Sequence, residues 1–324
     1  MQCCIIKMQE DEKMPSKQAR AFNAVLKQVF SERSWAGGDL ETVRKQNASR
    51  GVPKLPEGVS LSIKSLGGVN TEIFEKAGND KGWVFYIHGG GFTVGSARER
   101  REITQFIAAN CGYNCVSTDY RLAPENRWPA QLDDCYASYK AFAAECSDPG
   151  SIILMGESAG GMLALSLALL IKKLAGSDTE EKLPPMPRAI VALSPCVTHA
   201  EHFPSHKNNI GTDYILGDMI LNGIYEPLFG PDVSEETLKD PIVSPLYADY
   251  TGLPPVFVSC TDAETLYDDA CELYRRLKEA GHCAGFDMQE GCCHAYQIHP
   301  EMMPEAKESL LKAFEFIENT AKQG

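Results

Sequence analysis

Positive charge is scarce in this 324-residue chain: 31 lysines and arginines stand against 44 aspartates and glutamates, a formal net charge of −13. A field of that sign repels phosphate backbones and anionic headgroups. Nucleic acid and membrane surfaces are therefore poor partners, and the acidity serves solubility. Long apolar runs are missing as well. The longest, residues 162–171, is about half of what a bilayer crossing needs. Residues 1–20 lack the basic patch, apolar stretch and small-residue cleavage site of a secretion signal. These absences predict a cytoplasmic protein whose 12 cysteines stay mostly reduced rather than forming a disulfide framework. No internal repeat or low-complexity tract is present.

What is present from about residue 60 onward is an alternation of short β-rich runs with longer helical patterns, which predicts a mainly parallel sheet covered by helices. Strands are expected over 83–87, 115–118, 152–155, 189–193, 256–260 and 285–288. A hairpin of 61–64 and 71–74 around Gly67-Gly68 should form a sheet edge. Leu266, Ala270, Leu273, Tyr274 and Leu277 share one helical face that Gly281 stops, and Leu310, Phe314 and Ile317 repeat at helical spacing near the end. Two segments break the alternation. Residues 1–56 hold one amphipathic helix (Phe22, Val25, Leu26, Val29, Phe30) followed by polar sequence. Residues 196–250 are rich in Pro and Gly and have no strand periodicity. Both are expected to cap a site carried by a catalytic unit of residues 57–195 and 251–324.

The strongest local signal is Gly156-Glu157-Ser158-Ala159-Gly160, between an apolar strand and a helical run. This is the strand–turn–helix setting of a nucleophile elbow: small residues let the backbone turn sharply and lift the serine hydroxyl above the sheet. Upstream, His88-Gly89-Gly90-Gly91 follows the 83–87 strand. Its exposed amides, with that of Ala159, could receive the negative charge of a tetrahedral intermediate. A serine needs a base, and the order Ser, acid, His along the chain makes His294, after the last predicted strand, the candidate. His282 precedes that strand in a solvated turn, and His299 precedes Pro300 at the expected start of the last helix. The acid should follow the 256–260 strand. Asp268 and Asp269 read as first-turn helix charges, which leaves Asp262 and Glu264, and spacing alone does not separate them.

These motifs resemble the hormone-sensitive-lipase-like branch of the α/β-hydrolases, the bacterial family IV esterases. His88-Gly89-Gly90-Gly91 matches its HGGG loop, Asp119-Tyr120-Arg121-Leu122-Ala123-Pro124-Glu125 its DYRLAPE stretch, and Gly156 through Gly161 its GDSAGG elbow, with Glu157 in place of the usual aspartate. The resemblance spans roughly residues 60–320. It implies an α/β-hydrolase fold, a mostly parallel twisted sheet flanked by helices with a helical cap. It further implies a nucleophile at Ser158, a base at His294 and oxyanion donors at Gly90, Gly91 and Ala159. The family's D-P-L-x-D pattern, laid without gaps, puts the acid on Glu264, with Leu266 and Asp268 also matching and Thr265 where proline is usual. Asp119, Arg121 and Glu125 would then brace the loop beneath the oxyanion site.

The activity implied is a serine carboxylesterase acting on short acyl esters through an acyl-enzyme, with no cofactor or metal and with a small-molecule ester as its partner. An amide, lactone or acetylated carbohydrate is the alternative substrate. A non-catalytic ligand-binding role is a weaker one, against which the retained His294 argues. The resemblance also allows a homodimer through the sheet edge or the last helix. His199, His202 and His206 read as cap residues rather than metal ligands, because Pro204 interrupts their alignment. Cys292 and Cys293, like Cys3 and Cys4, read as packing thiols.

Overall fold

The computed structural model describes residues 14–30, 39–178, 182–222 and 225–321; the Cys3-Cys4 pair lies outside them. Two helices, α1 (Lys17–Phe30) and α2 (Leu40–Ser49), precede the sheet. Then come β1 (Val59–Leu66), β2 (Val69–Lys76), β3 (Trp83–Ile87), α3 (Arg101–Asn110), β4 (Asn114–Thr118), α4 (Ala130–Glu145), β5 (Ile153–Glu157), α5 (Ala159–Ala175) and β6 (Ala189–Leu193). Four short helices follow: α6 (Ser205–Asn208), α7 (Met219–Asn222), α8 (Tyr225–Phe229) and α9 (Glu235–Lys239). The chain closes with β7 (Val256–Thr261), α10 (Tyr267–Glu279), β8 (Ala284–Gln289) and α11 (Pro304–Ala321).

The eight strands form one sheet in the order β1-β2-β4-β3-β5-β6-β7-β8. The hairpin β1–β2 lies at one edge and joins β4 antiparallel, while every pairing from β4 to β8 is parallel. The inner strands are apolar on both faces because helices cover both. Their period of two divides the core: Phe85, Ile87, Leu154, Ile190 and Ala192 point to the layer of α4, α5 and α10, whereas Val84, Tyr86, Ile153, Val191 and Phe257 point to that of α3 and α11. The helix behind the elbow, α5, is buried without a break from Ala159 to Leu169. Truncating a leucine there, such as Leu163 or Leu167, should cost about 2–5 kcal/mol.

Three expectations need correction. The polar stretch after α1 contains a second helix, α2, which has no buried residue and hence no apolar stripe to read; Asp39 caps it by accepting from the Glu41 amide. On α1 the inward residues are Ala19, Phe22 and Leu26, at i, i+3 and i+7, while Val25 and Val29 face solvent. The last helix starts at Pro304; His299 instead follows a single 3-10 turn, Tyr296–Ile298, where its Nδ1 meets Glu102 Oε2 at 3.0 Å.

Candidate active site

The elbow is where the main chain is most constrained. Ser158 sits between β5 and α5 at φ +55°, ψ −122°, a conformation that costs a non-glycine residue about 1–3 kcal/mol. It is held there by its own amide, which donates to Leu193 O at 2.8 Å, and by close approach of the flanking glycines. A Cβ on Gly160 would stand 2.0 Å from Ile87 O, and one on Gly156 2.3 Å from Gly160 O. The glycines thus serve tight packing, and the serine itself carries the strain. Among the described residues four non-glycines have positive φ: Phe92, Ser158, Ser194 and Ala295. They lie in the loops leaving β3, β5, β6 and β8, so all four strained positions gather at one end of the parallel strands.

Beside the elbow runs the glycine loop. His88 stacks on Tyr120 with centroids 4.1 Å apart, and the Tyr120 hydroxyl donates to His88 O. Burial pushes the His88 pKa down, so the ring is neutral, and its Nδ1 donates to Gly89 O. The Gly89 amide is taken by Glu157 Oε1 at 2.6 Å. The next two amides, Gly90 and Gly91, have no protein acceptor among the described residues. Both residues have positive φ (+115° and +57°), which glycine adopts without penalty. Ala159 contributes a first-turn helix amide. Gly90, Gly91 and Ala159 are the residues that the resemblance implies as oxyanion donors.

Sequence reasoning did not find what fixes this loop. The buried Glu157 carboxylate collects the Gly89 amide, Arg100 Nε at 2.5 Å and the Tyr86 hydroxyl at 2.5 Å, so the longer side chain ties the elbow to the glycine loop. Arg44, from α2, donates to Thr93 O and Ala123 O and forks onto Glu125. Asp119 accepts from the Ala97 amide and Asn70, and Arg121 forks onto Asp134 at the start of α4. The signal for Glu157 was its departure from the usual residue; Arg44, on a polar helix, left none.

His294 Nδ1 stands 2.5 Å from Glu264 Oε2, and both side chains are buried. The second Glu264 oxygen accepts from the Thr261 amide at 3.0 Å, which sets the carboxylate's plane. Asp262, the other candidate acid, is exposed and accepts from the Gly291 amide at 2.7 Å, holding the base loop rather than the imidazole. Burial disfavours charge on His294, but the Glu264 hydrogen bond and charge outweigh it and raise the imidazole pKa above the ordinary value of 6.5. His282 lies at the other end of β8 against Pro254 O. The Ser158 hydroxyl has no hydrogen-bond partner among the described residues. Its loop and that of His294 both fasten to the end of β6, through Ser158 N to Leu193 O and Ala295 N to Ser194 Oγ at 3.3 Å. Catalytic hydrogen bonds commonly close only once substrate is bound.

The 196–250 segment and α1 border this end of the sheet. Asn23 Nδ2 donates to Gly291 O, and Phe22, Leu26 and Ile215 pack with the buried Cys292, Cys293 and Tyr296. His206 Nε2 lies 2.5 Å from the fully buried Asp269, so Asp269 does more than sit in a helix's first turn: it anchors α6 to α10. His199 Nε2 is 3.2 Å from Met162 Sδ, and burial lowers its pKa to about 4. No group of metal-ligating side chains is assembled among the described residues.

A family profile described as the alpha/beta hydrolase fold matches residues 84–298. An acetyl-hydrolase of Streptomyces hygroscopicus is 28% identical, over 81% of this chain and 84% of its own length. A carboxylesterase of Mycobacterium tuberculosis is 30% identical, over 70% of each chain. Among solved structures, a hormone-sensitive lipase from a metagenome library superposes with a TM-score of 0.82 and 30% identity, covering 92% of this chain and 97% of that one.

Proposed function

The chain belongs to the hormone-sensitive-lipase-like branch of the α/β-hydrolases and is a carboxylic ester hydrolase, and we propose that it cleaves short-chain acyl esters through an acyl-enzyme on Ser158. His294 takes the Ser158 proton as the hydroxyl attacks the carbonyl. Glu264 holds the imidazole with Nδ1 protonated and stabilises the imidazolium that forms. The amides of Gly90, Gly91 and Ala159 receive the oxyanion without reorganising. His294 then protonates the departing alcohol, and water releases the acid by the same route.

The observation that carries this reading is the buried 2.5 Å His294–Glu264 pair, set at the same strand ends as a strained serine and two open glycine amides. The acetyl-hydrolase relative supports a preference for short chains. It also keeps open an acetate carried on a sugar or amine, which acetylated substrates would reveal. No helix among the described residues is long and apolar enough to cross a membrane, and we place the protein in the cytoplasm.

The test is hydrolysis of p-nitrophenyl esters from acetate to palmitate by the wild type and by Ser158→Ala. Activity should peak at short chains, and the variant should lose at least about a thousandfold in kcat/KM. Turnover that survives the substitution overturns the mechanism, and a peak at long chains overturns the restricted pocket.

A further inference from the structure

The loop that carries Glu264 is held from outside by one stretch of the 196–250 insertion. Asn209 Nδ2 donates to Asp262 O and Glu264 O, both at 2.8 Å, and Thr212 Oγ1 donates to Ala263 O at 2.9 Å. Ser205 Oγ donates to Thr265 O at 2.7 Å. Asp213 completes the set. Its Oδ2 accepts from both the amide (2.8 Å) and the hydroxyl (3.1 Å) of Thr265, and its Oδ1 accepts from the Ile215 and Leu216 amides. Thr265 stands where the resemblance expects proline. A proline there would have neither an amide hydrogen nor a hydroxyl for Asp213 to accept.

Asp213 is 2% exposed, and every donor it meets in these contacts is neutral. A carboxylate buried without a cation is costly unless its oxygens are fully hydrogen-bonded. Here both oxygens are, and the residue its Oδ2 grips is the immediate neighbour of Glu264.

We propose that Asp213 is a positioning residue for the Glu264–His294 pair, fixing the acid loop from the insertion and adding its own negative charge to that of Glu264. The inference rests on the acid and base roles assigned above. The two effects follow from different parts of the same side chain. The hydrogen bonds to Thr265 fix the backbone next to Glu264, and so the direction in which its carboxylate meets Nδ1. The charge favours the imidazolium, which exists only once the serine proton has moved, so it assists the transition state more than substrate binding. Three carboxylates act on His294 from three elements: Glu264 after β7, Asp213 in the insertion, and Glu157 in the elbow, which is itself paired with Arg100. The adjacent Cys293 thiol is kept neutral by burial. Asp213 is thus the outlying carboxylate of the three with no cation of its own among these groups.

The test compares the full-length wild type, Asp213→Asn, Thr265→Val and Glu264→Gln on p-nitrophenyl acetate, with Tm and the pH profile of kcat/KM for each. Asp213→Asn should lower kcat roughly tenfold with KM within about twofold. It should also move the acid limb to lower pH by about half a unit, because a negative charge near the imidazole is gone. Thr265→Val removes one donor and leaves the charge, so kcat should fall a few-fold with the acid limb in place. If Asp213→Asn lowers Tm yet leaves kcat and the acid limb where they were, Asp213 is merely structural and the proposal fails. Should that variant not fold, an unchanged kcat in Thr265→Val overturns it instead. A Glu264→Gln enzyme with wild-type kcat would sink the underlying acid–base assignment rather than this inference.

Discussion

In the proposed mechanism, Glu264 is the residue on which the chemistry of the base depends. Burial alone would hold His294 below the ordinary imidazole pKa; the carboxylate reverses that. The active form of a general base is the neutral one, so activity is lost as pH falls through a raised pKa, and the acid limb of kcat/KM should lie above 6.5. In Glu264→Gln the largest opposing charge is gone, while burial and the smaller influence of Asp213 and Glu157 remain. The acid limb should move to lower pH, and kcat should drop by roughly 10²–10⁴. Rates measured from acid to alkaline pH with a short ester check both, and an acid limb that stays in place would contradict the pairing. Ser158 and His294 stand out in the chain as candidates because strand, turn and loop order constrain them. Glu264 and Asp262 could not be separated on spacing, since both follow the same strand. Only the positions of their side chains show one meeting Nδ1 and the other meeting Gly291 N.

Helix α2 shows how an element can matter without announcing itself. It buries nothing, so periodicity has nothing to report, yet its Arg44 satisfies two loop carbonyls beside the glycine loop. The ion pair with Glu125 adds little, because Glu125 is 59% exposed and solvent screens it. The carbonyl contacts are the larger effect. Arg44→Ala should lower stability by about 1–2 kcal/mol, a Tm drop of a few degrees by differential scanning calorimetry, and kcat/KM should fall with it. A full loss of stability with unchanged kcat/KM would show that α2 supports the fold and not the glycine loop. The insertion repeats the lesson. Read as sequence it was a Pro- and Gly-rich stretch without periodicity; folded, it supplies the side chains that grip residues 262–265.

At the scale of the whole molecule, stability comes from two apolar layers on one twisted sheet, with no covalent cross-link among the described residues. Ten described cysteines are free, and burial pushes most of their thiols up, Cys111 to about 12. A reductant should therefore leave Tm within about a degree of its value without one, since no disulfide among the described residues constrains the unfolded chain. A clear fall in Tm on reduction would reveal a cross-link that the fold does not require. Among the described thiols, the exposed Cys283 should react first with an alkylating reagent.

The sequence alone determined the sheet and the identity of the elbow, because both rest on local patterns. Apolar runs of strand length dictate strands wherever helices cover both faces, and a small-residue turn between strand and helix has few other conformations open to it. Which carboxylate meets His294, the clasp of Glu157 on the glycine loop, and the grip of Asp213 on Thr265 were decided by tertiary structure. Each joins residues far apart in the chain through a single polar side chain. Such contacts leave no periodicity behind, and they exist only once the sheet has brought its strand ends together.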